Sequence, residues 1–408
     1  MPKQACRKLL SFLGRGPYNP AGGTRGGYRE TRYDFAIRED TLLSSKHSVI
    51  ALAAIEAWQK NINQSFDSVV IFGTSGSMWD NLLLSFFSQY QLDIPEEIYA
   101  LEPQVDEMTV TAEMLKPFAE MLSASTDLHV DFQVITDATT KEKQAKLLQQ
   151  IDQSVEKNDK VVLDVTHGYR HLPILGLAAA KLISATKNAE ILDVIYGALD
   201  QQVDGKTPVV SLIWVLNLFS VISGMDEMSR CRNMRPLIKC FPPSLLREKL
   251  DQASYKLDVM RTEEAGRAAH QSLDAFHEEQ GNLPIELELI TQPLMDNLRQ
   301  FKEFERNTPD LLRMAHRAVE EQDYLRCAIF LAEAIDLNRE QQINSDKRAD
   351  RKLKCVRNWM AHAGELQDVS KREMREIMEV VASRKSLRSF LMKNIDRLSA
   401  GQPKRQSK

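Results

Sequence analysis

The stretch Val161–Pro173 reads Val-Val-Leu-Asp-Val-Thr-His-Gly-Tyr-Arg-His-Leu-Pro and decides the fold of the N-terminal half. Val161–Val165 is an apolar run broken only by Asp164, as expected for a strand that is covered on both faces. The turn Thr166–Gly168 follows, and Pro173 indicates that a helix begins nearby. A buried strand, a glycine turn and a helix in this order are typical of a parallel α/β sheet.

The same alternation of short apolar runs and helical patterns continues through the first half of the chain. The predicted strands are Lys8–Leu13, Ser68–Phe72, His129–Ile135, Val161–Val165, Ile191–Tyr196 and Val209–Val215. The predicted helices between them are Leu43–Lys60, Met78–Tyr90, Thr111–Leu122, Lys141–Val155 and Leu172–Ala185. This repeated β–α alternation predicts a Rossmann-like, doubly wound and mainly parallel sheet.

Strand patterns stop near Leu218, and the rest of the chain favours helices. The predicted helices are Leu294–Arg306, Leu311–Glu321, Tyr324–Asn338, Lys347–Ala363, Lys371–Ser383 and Leu387–Leu398. Cys327–Asp336 is apolar almost all round, which predicts a place in a helical core. The fold class is therefore α/β plus all-α. Its predicted domains are an α/β domain at 1–220, a helical connector at 221–290, an all-α domain at 291–400 and a disordered basic tail at 401–408.

Composition excludes several classes of protein. Hydrophobic residues make up 43% of the 408 residues and charged residues 27%, as in an ordinary globular protein. No apolar run approaches the ~20 residues that span a bilayer, and no secretory leader is evident, so we expect a cytoplasmic protein. The five cysteines are never spaced as C-x-x-C, which argues against a disulfide framework and a structural zinc site. The phosphate-binding motif of common ATPases, G-x-x-x-x-G-K-S/T, is absent.

The loop after the first predicted strand is the first candidate for ligand binding, because open α/β sheets bind ligands beyond the carboxyl ends of their strands. Gly14, Arg15 and Gly16 open a stretch rich in glycine and arginine. Glycine allows a ligand to approach the backbone closely, and Arg15, Arg25 and Arg29 have the chemistry to meet phosphates. The alternative interpretation is a flexible surface loop.

The loop after the second predicted strand offers backbone N–H groups and hydroxyls to an anion. Here Thr74 and Ser75 follow Gly73, and a helix opens a few residues later. Ser77 is predicted as the N-cap of that helix, with Asp80 in its first turn. The two roles are compatible, so the loop is predicted both to cap a helix and to bind a ligand.

The loop after the fourth predicted strand gives the strongest local pattern. Thr166, His167 and the N–H groups around Gly168 are expected to face the ligand crevice, and Arg170 adds a positive charge. A hydrogen-bonded structural role is the alternative for His167. Its spacing to His171 would suit a metal, but a third ligand is not evident, so a phosphate-rich ligand is favoured.

A second candidate site lies near the C-terminus, where Arg357, Asn358 and His362 fall on one predicted helix. Arg357 and His362 are five residues apart, which is about 140° around a helix, so one helix does not bring both side chains together. Two copies packed across a two-fold axis would line a shared groove with both pairs. Gly364 is predicted as the C′ residue, and the dipole near the helix end favours a protonated His362.

The charge distribution sets this end of the chain apart. Residues 301–408 carry 23 Lys and Arg against 17 Asp and Glu, whereas the first 300 carry 30 against 40. Six basic residues and one acidic residue lie between Lys347 and Arg357. A solvated helical surface is the ordinary explanation, and the alternative is an anionic partner such as nucleic acid. Cleavage of RNA without a metal fits this residue set, because RNA carries its own nucleophile and needs only charge stabilisation and proton transfer.

Together, these patterns resemble the CARF–HEPN ribonucleases of type III CRISPR systems. The resemblance rests on two sets of residues. The sheet half contributes the loop Leu13–Gly16, Gly73-Thr74 followed by Trp79-Asp80, and Asp164–Arg170. The helical half contributes the R-x4-H signature, Arg357 to His362.

The resemblance implies a homodimer in which a cyclic oligoadenylate, with four adenylates favoured over six, binds across two CARF domains. This activates composite HEPN sites that cut single-stranded RNA without a metal cofactor and with Arg357, Asn358 and His362 at the reaction. It implies no membrane and no stable DNA contact. Two alternatives remain open: a nucleotide-sensing regulator whose helical domain only recruits partners, and a HEPN toxin that cleaves RNA without an activator.

Overall fold

The computed structural model describes residues 5–16, 28–37, 40–60, 65–231, 233–258, 262–279, 281–302, 307–343, 346–362 and 369–400. The chain forms two compact units, Met1–Leu216 and Asn217–Lys408. In the first unit helices surround a sheet, and the second is helical in its described residues. None of the described helices has the length and apolar character needed to cross a membrane. The predicted tail at 401–408 lies outside the described residues.

The first unit is built around one sheet of eight strands in its described residues. These are β1 (Arg7–Leu13), β2 (Thr31–Ile37), β3 (Asp40–His47), β4 (Ser68–Gly73), β5 (His129–Val134), β6 (Lys160–Asp164), β7 (Glu190–Gly197) and β8 (Lys206–Ser211). Their order across the sheet is β3-β2-β8-β7-β6-β1-β4-β5. The pairs β2–β3 and β7–β8 are antiparallel, and the other five are parallel. The predicted mainly parallel, doubly wound sheet is confirmed.

Helices cover both faces of the sheet. They are α1 (Ile50–Gln59), α2 (Trp79–Gln89), α3 (Leu101–Asp106), α4 (Ala112–Ser125), α5 (Lys141–Gln153) and α6 (Leu172–Lys187), and the chain continues after β8 into α7 (Ile213–Cys231). Side chains of β1 alternate between two apolar cores, with Leu9 in one and Leu10 and Phe12 in the other. Burial on both faces explains why the central strands read as continuous apolar runs rather than as alternating ones.

The predicted helix Leu43–Lys60 is wrong at its beginning. Residues Asp40–His47 form β3, and the helix starts only at Ile50. The strand β3 forms because it pairs with β2, a segment for which no strand is predicted from the sequence. β2 in turn pairs with β8, and the paired residues are 174 positions apart in the chain. Strand pairing with such distant partners is hardly visible in the local sequence periodicity. Here this pairing overrides the local helical pattern.

The last predicted strand, Val209–Val215, is also misplaced. The strand is Lys206–Ser211, and α7 begins at Ile213. The N–H of Leu212 donates to the carbonyl of Val194 at 2.7 Å, and that of Val215 already donates to Leu212 at 3.0 Å. Only Ser211 interrupts the apolar run Val209–Val215, so the sequence pattern does not mark the change from strand to helix.

The second unit contains helices α8 to α17 in its described residues. They are α8 (Arg235–Ile238), α9 (Leu245–Asp258), α10 (Thr262–Glu279), α11 (Ile285–Glu288), α12 (Thr291–Lys302), α13 (Thr308–Glu320), α14 (Tyr324–Glu340), α15 (Lys347–Ala361), α16 (Lys371–Val381) and α17 (Arg384–Ala400). One apolar core joins α7 through α12, and so includes most of the predicted connector. Another joins α13, α14, α15 and α17. Most side chains of Cys327–Asp336 are buried in α14, as predicted.

A buried carboxylate ties α15 to two neighbouring helices. Asp350 is fully buried, and Arg397 of α17 lies 2.9 Å from one of its oxygens. Arg339 of α14 lies 3.7 Å from the other oxygen. A buried charge is tolerated when it is paired, but losing a partner leaves a desolvated charge that destabilises the fold.

We expect Arg397→Met to destabilise the helical unit by about 3 kcal/mol, because the carboxylate of Asp350 would lose its nearest cation. Slower-exchanging amides of α15 and α17 should become less protected in hydrogen exchange. The double variant Asp350→Leu/Arg397→Met should recover most of the loss, since no charge is then buried. Arg388→Met, at an exposed position of α17, is the control. Equal protection in Arg397→Met and this control would contradict the role of the pair.

Candidate functional site

Three loops meet where the strand order reverses. β1 lies between β4 and β6, so the strand order reverses at β1. The connections that follow neighbouring strands therefore run to opposite sides of this point of the sheet. A Cβ on Gly14 would lie 2.7 Å from the backbone nitrogen of Gly168. The N–H of Met78 donates to the carbonyl of Gly14 at 3.0 Å. The three loops predicted from sequence therefore lie side by side, and Gly14 is where they touch.

The loop after β4 is tied to the end of β1 by a side chain. The hydroxyl of Ser77 donates to the carbonyl of Leu13 at 2.7 Å, and it accepts from the N–H of Thr74 at 2.8 Å. The predicted N-cap role of Ser77 is therefore wrong: α2 starts after Met78, and Ser77 instead fixes the turn. Thr74 and Ser75 remain partly exposed at the tip of this turn.

His167 is buried but keeps one open hydrogen-bonding position. Its ring packs on that of Tyr28, with centroids 4.4 Å apart and planes 31° from parallel. Nε2 of His167 is buried without a hydrogen-bond partner among the described residues. Burial lowers the pKa of His167 to about 4, so the ring is neutral near pH 7. A neutral imidazole with a free nitrogen is a directional group for a polar ligand atom.

Thr166 braces two strands rather than lying free in the crevice. Its hydroxyl accepts from the N–H of Gly197, at the end of β7, at 2.8 Å. Its own N–H donates to Asp164 at 2.9 Å. The hydroxyl of Ser11 donates to the other oxygen of Asp164 at 2.5 Å. Burial raises the pKa of Asp164 to about 6, and these hydrogen bonds only partly offset the effect of burial.

The remaining predicted ligand residues lie at the rim. Gly16 is partly exposed, and Arg15, Gly168 and Arg170 are exposed. Exposed guanidinium groups are free to reach a phosphate at the carboxyl edge. Arg25 lies outside the described residues.

The two histidines of the suggested pair have different contact partners. Nε2 of His171 lies 3.0 Å from the carbonyl oxygen of Asp137, and its ring stacks on Tyr169. His167 packs instead on Tyr28. Within the described ranges, no three His, Cys, Asp or Glu side chains are grouped to hold a metal ion.

Met108 is a site residue that sequence analysis missed. It follows α3 with a left-handed backbone (φ 58°), and its sulfur lies 3.6 Å from a terminal nitrogen of Arg15. Its side chain also fills the space above Gly76, where a Cβ would come within 2.6 Å. Tyr28 was missed too, because its partner His167 lies 139 positions away. In neither case does local sequence carry a signal of the contact.

The C-terminal candidate residues surround the end of α15. Arg357 and Asn358 are half-buried and His362 is exposed. His362 is the C-cap residue, and its N–H donates to the carbonyl of Asn358 at 2.9 Å, so it still belongs to the last turn. Nε of Arg357 is buried with no hydrogen-bond partner in the described part of the chain. The predicted C′ residue, Gly364, lies outside the described residues.

A stability test follows from the buried carboxylate of Asp164. Its pKa is higher in the folded chain than the ordinary 3.8, so the folded state holds the proton more tightly. This contribution therefore destabilises the fold as pH rises from about 4 through about 6, by roughly 3 kcal/mol in total. Asp164→Asn should remove that pH dependence in the hydrogen-exchange protection of β6. Asp200→Asn, an exposed control, should keep the wild-type slope. An unchanged slope in Asp164→Asn would contradict the assignment.

Comparison with known proteins agrees with this geometry. Residues 8–200 match the model described as CRISPR system endoribonuclease Csx1, CARF domain. The CRISPR-associated protein MJ1674 of Methanocaldococcus jannaschii is 22% identical over 213 residues, which cover 47% of this chain and 33% of the relative. The chain thus aligns with about a third of this relative's length. Residues 8–200 are therefore similar to the CARF domain of a CRISPR system endoribonuclease.

Proposed function

We propose that the protein is an endoribonuclease of type III CRISPR defence that cuts single-stranded RNA when a cyclic oligoadenylate binds its CARF domain. The observation that carries the proposal is the joining of two units on one chain. A CARF domain with a crevice at its switch point precedes a helical unit that presents Arg357 and His362 at the end of one helix. The first supplies sensing and the second has the residues for metal-independent RNA cleavage.

The crevice of the CARF domain suits a ligand that combines bases with phosphates. Gly14 and Gly168 let the two loops pack closely against each other, and Arg15 and Arg170 supply positive charge at the exposed edge of these loops. Nε2 of His167, which is buried without a partner among the described residues, would offer one directional hydrogen bond to the ligand. A cyclic tetra-adenylate has a two-fold axis of its own, so it fits a crevice shared by two copies of the domain.

The C-terminal residues supply what RNA cleavage by the 2′-hydroxyl requires. Attack of this oxygen on phosphorus forms a new P–O bond and breaks the bond to the 5′-oxygen, leaving a cyclic phosphate and a free 5′-hydroxyl. Arg357 would stabilise the charge on the phosphorane, and His362 would move the proton between the two oxygens. Asn358 would orient the scissile phosphate. Each of these roles needs a side chain that can reach substrate.

Helix geometry favours a site shared by two protomers. Five residues separate Arg357 from His362, so their directions differ by about 140° on α15. The half-burial of Arg357 and the exposure of His362 agree with this difference. A second copy would complete each site, with Arg357 of one helix facing His362 of the other. Binding of the cyclic ligand activates only to the extent that it prefers this arrangement.

The experiment that tests the proposal is cleavage of labelled single-stranded RNA by the full-length protein in EDTA. Cyclic tetra-adenylate, cyclic hexa-adenylate or no activator is added in parallel. Cleavage that depends on one of the rings supports the proposal. Ring binding without RNA turnover would overturn the nuclease assignment and leave a sensor that recruits partners. Cleavage indifferent to either ring would overturn the gating.

We expect His362→Ala to slow activated RNA cleavage at least 100-fold, because proton transfer by a placed side chain contributes about 10²–10⁴-fold. Affinity for cyclic tetra-adenylate, measured by calorimetry, should stay unchanged. His316→Ala is the matched control, since His316 is an exposed histidine of α13. If both variants cleave at the wild-type rate, His362 takes no part in the reaction.

We expect His167→Phe to weaken binding of cyclic tetra-adenylate by roughly tenfold, because it keeps the packing on Tyr28 and removes only the open nitrogen. Affinity of the wild type should be flat from pH 6 to pH 8, since the pKa of about 4 keeps His167 neutral throughout. His171→Phe serves as control, because the nitrogen of His171 is already engaged with Asp137. Tight, unaltered binding by His167→Phe would remove this residue from the ligand site.

A further inference from the structure

One face of α15 carries a row of cations around a small cavity. Arg348, Arg351, Lys352 and Cys355 are spaced i, i+3, i+4 and i+7, and all four line it. The cavity measures about 230 Å³, and α16 forms its other wall through the side chains Arg372, Glu373, Glu376 and Ile377. Four cations against two carboxylates leave this groove with a net charge of +2.

The two carboxylates are paired with the cations in a specific way. Glu373 lies 2.7 Å from Arg351. Glu376 lies 3.3 Å from Arg348, 3.6 Å from Lys352 and 3.5 Å from Arg372. Glu376 therefore faces three cations at once. Desolvation acts to raise the pKa of Glu376, but the attraction of Lys352 and Arg348 outweighs it and lowers the pKa.

These ion pairs are open to exchange. The side chains of Arg348, Arg351 and Arg372 are 76%, 63% and 80% exposed. Exposed pairs contribute only about 0–1 kcal/mol each, so an incoming phosphate competes with the glutamates at little cost. Guanidinium groups also bind phosphate in two-pronged fashion, which favours the exchange.

The row of cations lies on the same face of α15 as His362. His362 lies seven residues beyond Cys355, which is two turns further and only about 20° away around the axis. At 1.5 Å per residue, about 16 Å of helix separate Arg351 from His362. A strand whose phosphate occupies the groove therefore runs along the same face as His362.

We propose that the groove formed by Arg348, Arg351, Lys352 and Arg372 binds the phosphates of single-stranded RNA a few nucleotides from the scissile bond, and that Glu373 and Glu376 compete with the RNA for these cations. This inference rests on the proposed ribonuclease function for its substrate. It adds a binding subsite outside the R-x4-H signature, together with an internal competitor that weakens RNA binding.

The sharpest test is the variant Glu376→Gln, because it should improve binding. Removing the carboxylate frees Arg348, Lys352 and Arg372 for phosphate. Affinity for a fluorescein-labelled single-stranded RNA, measured by anisotropy in the His362→Ala background, should rise roughly threefold or more. The plot of log affinity against log salt should steepen by about 0.7 for each cation released to the RNA. Glu120→Gln makes the same charge change at an exposed ion pair of α4 and should alter neither quantity.

The complementary variant is Arg351→Gln. It should weaken RNA binding roughly threefold and reduce the salt slope by about 0.7. Arg299→Gln removes a cation from an exposed pair on α12 and is the matched control. Unchanged affinity and slope in Arg351→Gln, or weaker binding in Glu376→Gln, would overturn the proposal. Circular dichroism on all four variants confirms that each is folded.

RNA binding by the groove and RNA cleavage by the protein can each fail without the other in these experiments. Binding is read without turnover, so a shift of affinity in Glu376→Gln supports the groove even if no RNA is ever cut. Activated cleavage that ignores both groove variants at subsaturating RNA would leave the nuclease assignment standing and end the groove alone. Equal response to an acidic peptide and to RNA would identify a protein partner instead, and would also overturn the proposal.

Discussion

The close approach of two glycines is the constraint on which the ligand crevice depends. Gly14 and Gly168 lie in the loops that follow the neighbouring parallel strands β1 and β6, and a side chain at Gly14 would collide with the backbone of the other loop. The backbone at Gly168 is also left-handed, with φ at 107°, a region that side chains disfavour. Because these loops touch without side chains between them, His167 on one side and Ser77 on the other are held at fixed positions. The three loops are therefore packed against one another at the switch point.

The central part of this architecture could be predicted from sequence, because it depends on local patterns. Strands such as β4 and β6 are buried on both faces, so they read as unbroken apolar runs, and the loops that follow them had to meet at one edge. The edge strands β2 and β3 could not be predicted in the same way. They owe their conformation to partners far along the chain, and the alternation within Asp40–His47 resembles a helix start as much as a strand.

The same distinction applies to the site residues. Gly14 and Thr74 are candidates from sequence because each directly follows a recognisable strand, and Gly168 is one because it lies in the loop after β6. The roles of Ser77 and Thr166 were not, since each hydroxyl is used to brace a neighbouring strand. Met108 lies beyond any local rule: a bulky side chain occupies a left-handed position where glycine is usual, and its contacts with Arg15 and Gly76 appear only in three dimensions.

In the helical unit, basic residues that are close together in the sequence differ in their burial and in their ion-pair partners. The six cations of Lys347–Arg357 look like one basic patch, but Lys354 pairs with Asp336 of α14, while Arg348 and Arg351 face α16. Arg357 points elsewhere, with its Nε enclosed. Because these cations face three different directions, the charge count of the segment overestimates the positive charge on any one surface. The cations that face α16 line the groove.

Glutamates inside a cationic groove also affect which anions the helical unit can retain. A free mononucleotide or an inorganic phosphate would have to displace Glu376 from the cations through a single contact. It would gain little free energy, because one exposed ion pair replaces another. A polymer presents many phosphates on one backbone, so each contact raises the effective concentration of the next. If the groove binds RNA as proposed, the length of the anion and not its charge alone decides which anions it retains.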